Sequence, residues 1–255
     1  MLQGKTMIVT GGSSGMGMYM AMKFVAEGAN VVITGRDLER LENAKKEIEA
    51  YGKTIEVFQM DVRNPEHVEA MVAFTDKTFG NIDGLVNNAA GNFIVETEKL
   101  SPNGWKAVID IVLNGSFYCS HAVGNYWIAK ESKGAILNML ATYAWGAGAG
   151  VAHSAAAKAG VMSLTRTLAV EWGSKYGIRV NGIAPGPIER TGGAEKLWES
   201  EEAAKRTLKS VPLGRLGKPE EIAELAAFIM SDKATYMNGE IVTLDGGQCL
   251  NQFPF

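Results

Sequence analysis

The stretch TMIVTGGSSGMG, residues 6–17, decides the fold. TMIVT is a short β-branched run, the composition of a buried strand. Helix-like sequence starts at Met16, so the glycine-rich turn lies directly between a first strand and a first helix. Gly11, Gly15 and Gly17 give a G-x-x-x-G-x-G spacing. Gly11 permits the tight turn, and the other two let a pyrophosphate come close to the backbone. The helix N-terminus offers free N–H groups to phosphate. Ser13, Ser14 and Met16 belong to the same turn and are expected to contact the cofactor with it.

Outward from this turn, strand and helix patterns alternate to the end of the chain. Helical spacing over 16–27 is ended by Gly28, and NVVITG (30–35) is a second strand. A helix is expected over 38–51, then a third strand over 54–61 ending on Asp61. Asn64-Pro65 opens the next helix, with proline at a favourable first-turn position. Further strands are expected at 84–90, 134–140, 178–186 and 240–247, and helices at 102–130, 154–176 and 219–231. This order predicts one α/β domain over 1–255. It is a Rossmann fold: a doubly wound, seven-stranded parallel sheet with helices on both faces and right-handed crossovers.

A length of 255 residues suits one large domain. The net charge of -3 lacks the basic excess of a nucleic-acid binder, so none is expected as partner. Cys119 and Cys249 lie far apart without metal-ligand spacing, which suggests two reduced thiols. His67, His121 and His153 form no ligand constellation, and no metal is expected. No apolar run reaches membrane-spanning length. The sequence enters a strand at once and ends NQFPF rather than SKL, so a cytoplasmic, bacterial enzyme is the expectation.

The end of the second strand chooses the cofactor. Enzymes that use NAD usually place an acid there for the ribose 2′-OH. Here Gly35-Arg36 occupies that place, and Arg36 can pair with a 2′-phosphate through its planar fork. Asp37 stands one step beyond, where a side chain more often points away. NADPH is the expected cofactor.

These residues resemble the short-chain dehydrogenases. TGGSSGMG, Asp61-Val62, NNAA at 87–90, Asn114 and PGPI at 185–188 carry the resemblance over nearly the whole chain. It implies that Asp61 and Val62 lie at the adenine, and that Asn88, Ala89 and Ala90 pack beside the adenosine ribose. It also implies that Pro185, Gly186 and Ile188 hold the nicotinamide carboxamide, that Thr191 contacts phosphate, and that Asn114 joins the catalytic group.

The usual Tyr-x-x-x-Lys pair of that family is altered. The chain reads HSAAAKAGV, so Lys158 is preceded four residues earlier by Ser154, and Ala141 stands where the family serine would be. This argues against an ordinary alcohol dehydrogenase. Tyr143, in the loop LATYAWGAGAG after the fifth strand, is the candidate replacement. Asn92, after the fourth strand, could join it as a second side-chain donor to one oxyanion. Asn92-Phe93, Tyr143, Ser154 and Lys158, with SPNGWK and DIVLNG between, resemble the NADPH-dependent 2,4-dienoyl-CoA reductases.

The resemblance implies hydride addition at C5 of a dienoyl thioester in unsaturated fatty acid β-oxidation. Tyr143 and Asn92 would stabilise the dienolate oxygen. Lys158 would hold the nicotinamide ribose, supported by Ser154, and protonation from water at the α-carbon would give 3-enoyl-CoA. Arg63, Phe93, Ser101 and Lys196 match substrate-contacting positions for the acyl-CoA, with Arg190 also expected near the cleft. The segment 191–209 is expected as a substrate lid. A homotetramer is implied, with helices 102–130 and 154–176 at one interface. Three rivals stand beside this reading. A lipid-synthesis enoyl-thioester reductase would need tyrosine where Val151 stands. The others are a carbonyl reductase using Tyr143, and a catalytically silent NADP-binding regulator.

Overall fold

The computed structural model describes residues 1–52, 54–191 and 201–251. Its strands are β1 (Thr6–Thr10), β2 (Asn30–Gly35), β3 (Ile55–Gln59), β4 (Gly84–Asn87), β5 (Ala135–Met139), β6 (Arg179–Pro185) and β7 (Ile241–Leu244). Among the described residues they form one sheet of order β3-β2-β1-β4-β5-β6-β7, with every pairing parallel. The doubly wound, seven-stranded architecture read from the sequence is therefore observed. β1 pairs with β2 on one side and β4 on the other, so the direction of sheet growth reverses there. Such a reversal opens a ligand crevice beyond the strand C-termini.

The helices are α1 (Gly15–Ala26), α2 (Leu38–Ile48), α3 (Pro65–Phe79), α4 (Pro102–Ile109), α5 (Gly115–Ala129), α6 (Ala152–Tyr176), α7 (Glu201–Ser210) and α8 (Pro219–Met230). β1 and β5 are buried at every residue, as parallel strands covered on both faces must be. On one face Phe24 of α1, Leu41 of α2 and Ile229 of α8 close a core over the sheet. On the other, Met71 of α3, Trp127 of α5 and Leu168 of α6 do the same. Trp127 is fully buried, and its indole N–H donates to the Ile82 carbonyl at 2.7 Å.

Several element boundaries differ from those expected: β3 spans Ile55–Gln59 rather than 54–61, β4 ends at Asn87 rather than 90, and β7 spans Ile241–Leu244 rather than 240–247. The helix expected over 102–130 is interrupted by a π-turn at Asp110–Asn114, where the Gly115 N–H reaches the Asp110 carbonyl. One extra residue in a turn does not disturb hydrophobic spacing enough to be read. α6 begins at Ala152 rather than 154, which puts Ser154 within its first turn. α2 ends at Ile48, short of 51. Among the described residues no helix is long and apolar enough to cross a membrane. Likewise, no group of His, Cys, Asp and Glu could hold a metal ion.

Candidate active site

The glycine-rich turn sits at the β1–β4 reversal and is tied to β4 by polar bonds. The Thr10 hydroxyl donates to the Val86 carbonyl and accepts the Asn88 and Ala89 N–H groups, the latter two at 3.0 Å. Asn88 Nδ2 returns bonds of 3.0 Å to the carbonyls of Thr10 and Gly11. This leaves no room for a side chain. A Cβ at Gly17 would stand 2.4 Å from both Asn88 Nδ2 and the Gly11 oxygen. Gly11 itself has a left-handed φ of 64°. Ser14 is the N-cap of α1 but makes no side-chain cap bond, and no acidic residue occupies the first turn. Such an end suits an anionic pyrophosphate, so the turn fits a dinucleotide.

At the end of β2, the Asp37 carboxylate is occupied as the N-cap of α2, accepting the Arg40 N–H at 3.1 Å. Arg36 is exposed, with its backbone carbonyl accepting from Gln59 Nε2 at 2.9 Å. Asp61 is gripped by Arg63, whose Nε lies 3.0 Å from both carboxylate oxygens. That bond holds the Asp61 pKa below the usual carboxylate range. Arg63 is thus committed to Asp61 rather than to the cleft around Tyr143. Val62 is buried against Gly115, where a Cβ would meet its Cγ2 at 2.7 Å.

A cleft of about 640 Å³ opens beside the turn. It brings together Met16, Asn88, Ala90, Asn92, Phe93, Tyr143, Ser154, Lys158, Pro185, Gly186, Ile188 and Thr191, residues drawn from the ends of several strands. Ile94, Leu140 and Val151 add apolar wall, and Thr207 of α7 and Gln248 border it as well. Thr207 falls within the segment expected as a lid. Gln248 was not singled out by the sequence reading, and nothing in its spacing marks it.

The candidate reactive centre lies on β5, the loop after it, and the start of α6. Tyr143 sits in a 3-10 turn, Thr142–Ala144, and its Oη is 3.0 Å from Ser154 Oγ. Lys158 is buried, one turn further along α6, and its ammonium donates to the Met139 carbonyl at the end of β5. Burial pushes its pKa down to about 8. Asn92 Oδ1 accepts the Phe93 N–H at 2.9 Å. The two loops are joined by a bond from the Val95 N–H to the Gly150 carbonyl at 3.0 Å.

The remaining expected residues have contacts of their own. Asn114 closes the π-turn, and its Nδ2 donates to Asp110 Oδ1 at 2.9 Å. Lys106, bonded to the Asp110 carboxyl, holds that pKa down. Ser101 caps α4 by accepting the Gly104 N–H at 3.1 Å. Arg190 lies over the Tyr19 ring at 4.9 Å and pairs with Glu189 and Glu220. Thr191 donates to the Ile188 carbonyl at 2.8 Å, close over Gly15. Lys196, and residues 192–200 of the expected lid, lie outside the described residues.

The chain is similar to several known proteins. A family model described as Enoyl-(Acyl carrier protein) reductase matches residues 11–248. The chain is 64% identical, over 100% of both chains, to a protein of Bacillus subtilis (strain 168) named probable 2,4-dienoyl-CoA reductase [(2E)-enoyl-CoA-producing]. It is 43% identical to the Caenorhabditis elegans protein named probable 2,4-dienoyl-CoA reductase 3 [(3E)-enoyl-CoA-producing], covering 97% of this chain and 81% of the other. Among solved structures it is similar to a short chain dehydrogenase from Bacillus anthracis, with 61% identity, a TM-score of 0.92 and full coverage of both chains.

Proposed function

This chain belongs to the short-chain dehydrogenase/reductase family of oxidoreductases, and from that premise we propose that it reduces 2,4-dienoyl-CoA thioesters with NADPH. One observation carries the reading: the phenol beside Ser154 and Lys158 comes from the loop after β5, not from α6. A donor on the helix would suit a carbonyl being reduced at its own carbon. In a dienoyl thioester, charge develops on an oxygen remote from the carbon that receives hydride, and a displaced donor suits it.

Family members bind a nicotinamide cofactor, and the glycine turn, Asp61 and the β6 end are its expected holders here. The bound cofactor supplies hydride, which adds at C5 of the acyl chain. Exposed Arg36 and the committed Asp37 favour a 2′-phosphate over a 2′-hydroxyl. Lys158 holds the nicotinamide ribose, and Ser154 orients Tyr143. Tyr143 and the Asn92 amide donate to the thioester oxygen as it becomes an enolate, each worth on the order of 10²–10³ in rate. Protonation at C2 then leaves a double bond between C3 and C4, the 3-enoyl product. A second reading puts the proton at C4 and gives the 2-enoyl product; the name of the Bacillus subtilis relative favours it. Exposed Phe117 on α5 and Val170 on α6 support the further proposal of a homotetramer built through these helices.

The test is turnover of 2,4-hexadienoyl-CoA with NADPH, with the position of the remaining double bond read from the isolated product. Loss of both chromophores is expected. NADPH binding without dienoyl-CoA turnover would sink the proposal and favour the regulator.

A further inference from the structure

His153 is fully buried in the first turn of α6, beside the reactive centre but outside the groups used above. Its Nδ1 accepts the N–H of Ser154 at 2.9 Å. Val151, the N-cap of α6, makes no side-chain cap bond, so the imidazole satisfies one first-turn donor in its place. An accepting Nδ1 on a neutral ring puts the proton on Nε2. That Nε2 is buried and has no hydrogen-bond partner among the described residues. The ring stands edge-to-face against Phe93, with centroids 4.5 Å apart and planes at 90°.

A buried donor left without a partner destabilises a fold. A leucine or phenylalanine would fill the same space without it. Either would also leave the Ser154 N–H without its acceptor, so the imidazole serves the first turn through Nδ1 while its Nε2 and ring face are set toward the candidate site. Its contacts run both ways into the reactive centre. Through Ser154 it reaches Tyr143, 3.0 Å from the serine hydroxyl. Through Phe93 it reaches Asn92, whose Oδ1 accepts the Phe93 N–H.

We propose that His153 is a positioning residue that sets the separation of the two oxyanion donors, Tyr143 and Asn92, by bridging Ser154 and Phe93. This rests on the reading of Tyr143 and Asn92 given above. Misplacing either donor by a fraction of an ångström weakens the transition state much more than the bound ground state.

The test pairs His153→Leu with His153→Asn, whose Oδ1 can still accept the Ser154 N–H. With NADPH and 2,4-hexadienoyl-CoA, His153→Leu is expected to lower kcat by about tenfold or more. NADPH affinity should stay unchanged and the melting temperature should move little, since losing the Ser154 acceptor offsets removal of the unpartnered Nε2–H, and His153→Asn should recover part of the loss in kcat. Adding Phe93→Leu to His153→Leu should cost little more, because both act along one path. Wild-type kcat in His153→Leu would overturn the proposal, as would a loss of kcat, NADPH affinity and melting temperature together without rescue by asparagine. Hydrogen exchange gives a readout independent of the reaction. His153→Leu should speed exchange in both 91–95 and 142–151, and unchanged exchange in either loop overturns the bridge. An inactive wild type would sink the assigned reaction, and the exchange result would still decide the bridge.

Discussion

Tyr143 Oη lies 3.0 Å from Ser154 Oγ, so a phenol from a loop meets the helix position where the family's own tyrosine would stand. Tyr143→Phe should lower kcat with dienoyl-CoA by about a hundredfold while NADPH binding persists. Ser154→Ala removes only the orienting bond and should cost about tenfold. Steady-state kinetics beside NADPH titration separates these effects; a Tyr143→Phe enzyme of near-normal kcat would remove the phenol from the mechanism.

Buried Lys158 has a folded-state pKa lowered to about 8 from 10.5 by desolvation. The unfolded chain therefore keeps this proton to higher pH than the folded one. The resulting penalty is fully present below pH 8 and fades as pH rises toward 10.5. Lys158→Met should raise the melting temperature at pH 7, a stabilisation on the order of 1–3 kcal/mol, and the gain should shrink by pH 10. Activity should be lost. In the wild type, kcat/KM for NADPH should fall as pH passes about 8 and the ammonium is lost. A lower melting temperature for Lys158→Met at pH 7 would show that the ammonium stabilises the fold.

Arg36 and Asp37 separate cofactor choice from helix capping. Arg36→Ala should weaken NADPH more than NADH, with little change in stability. Asp37→Ala should leave the preference alone and destabilise by about 1 kcal/mol, because its carboxylate caps α2. Titration of each variant with both cofactors checks this; an unmoved preference in Arg36→Ala would retire its 2′-phosphate role.

Gly17 tests the close approach of turn and β4. A Cβ there would stand 2.4 Å from Asn88 Nδ2 and from the Gly11 oxygen. Gly17→Ala should push the turn off its cradle, abolishing NADPH binding and lowering stability by about 1–3 kcal/mol. Denaturant unfolding and cofactor titration read the two losses. Normal binding would mean that the turn can relax.

Phe117 and Val170 stand exposed on α5 and α6. If these helices carry an interface, light scattering should give a tetramer for the wild type and smaller species for Phe117→Glu combined with Val170→Glu. A monomeric wild type would leave both residues as ordinary surface.

Much of this molecule was legible in order along the chain. The glycine turn after a β-branched strand, the alternating strand and helix patterns and the absence of tyrosine four before Lys158 all depend on near neighbours. So does the role of Asp37, whose carboxylate caps the helix that follows it. The π-turn at Asp110–Asn114 was not legible, because one inserted residue leaves the apolar spacing almost unchanged. The commitment of Arg63 to Asp61 was hidden too, since two nearby charges can equally face solvent or a ligand.

What the residues alone determined, then, were the elements, their parallel sense and many of the side chains gathered at the strand ends. Local conformational preference and burial period settle these, and both act over a few residues. Tertiary structure alone decided that Tyr143 meets Ser154, that the Phe93 and His153 rings pack edge-to-face, and how far burial lowers the Lys158 pKa. These depend on distances between segments far apart in the chain, and only the packed core brings those segments to hydrogen-bond range.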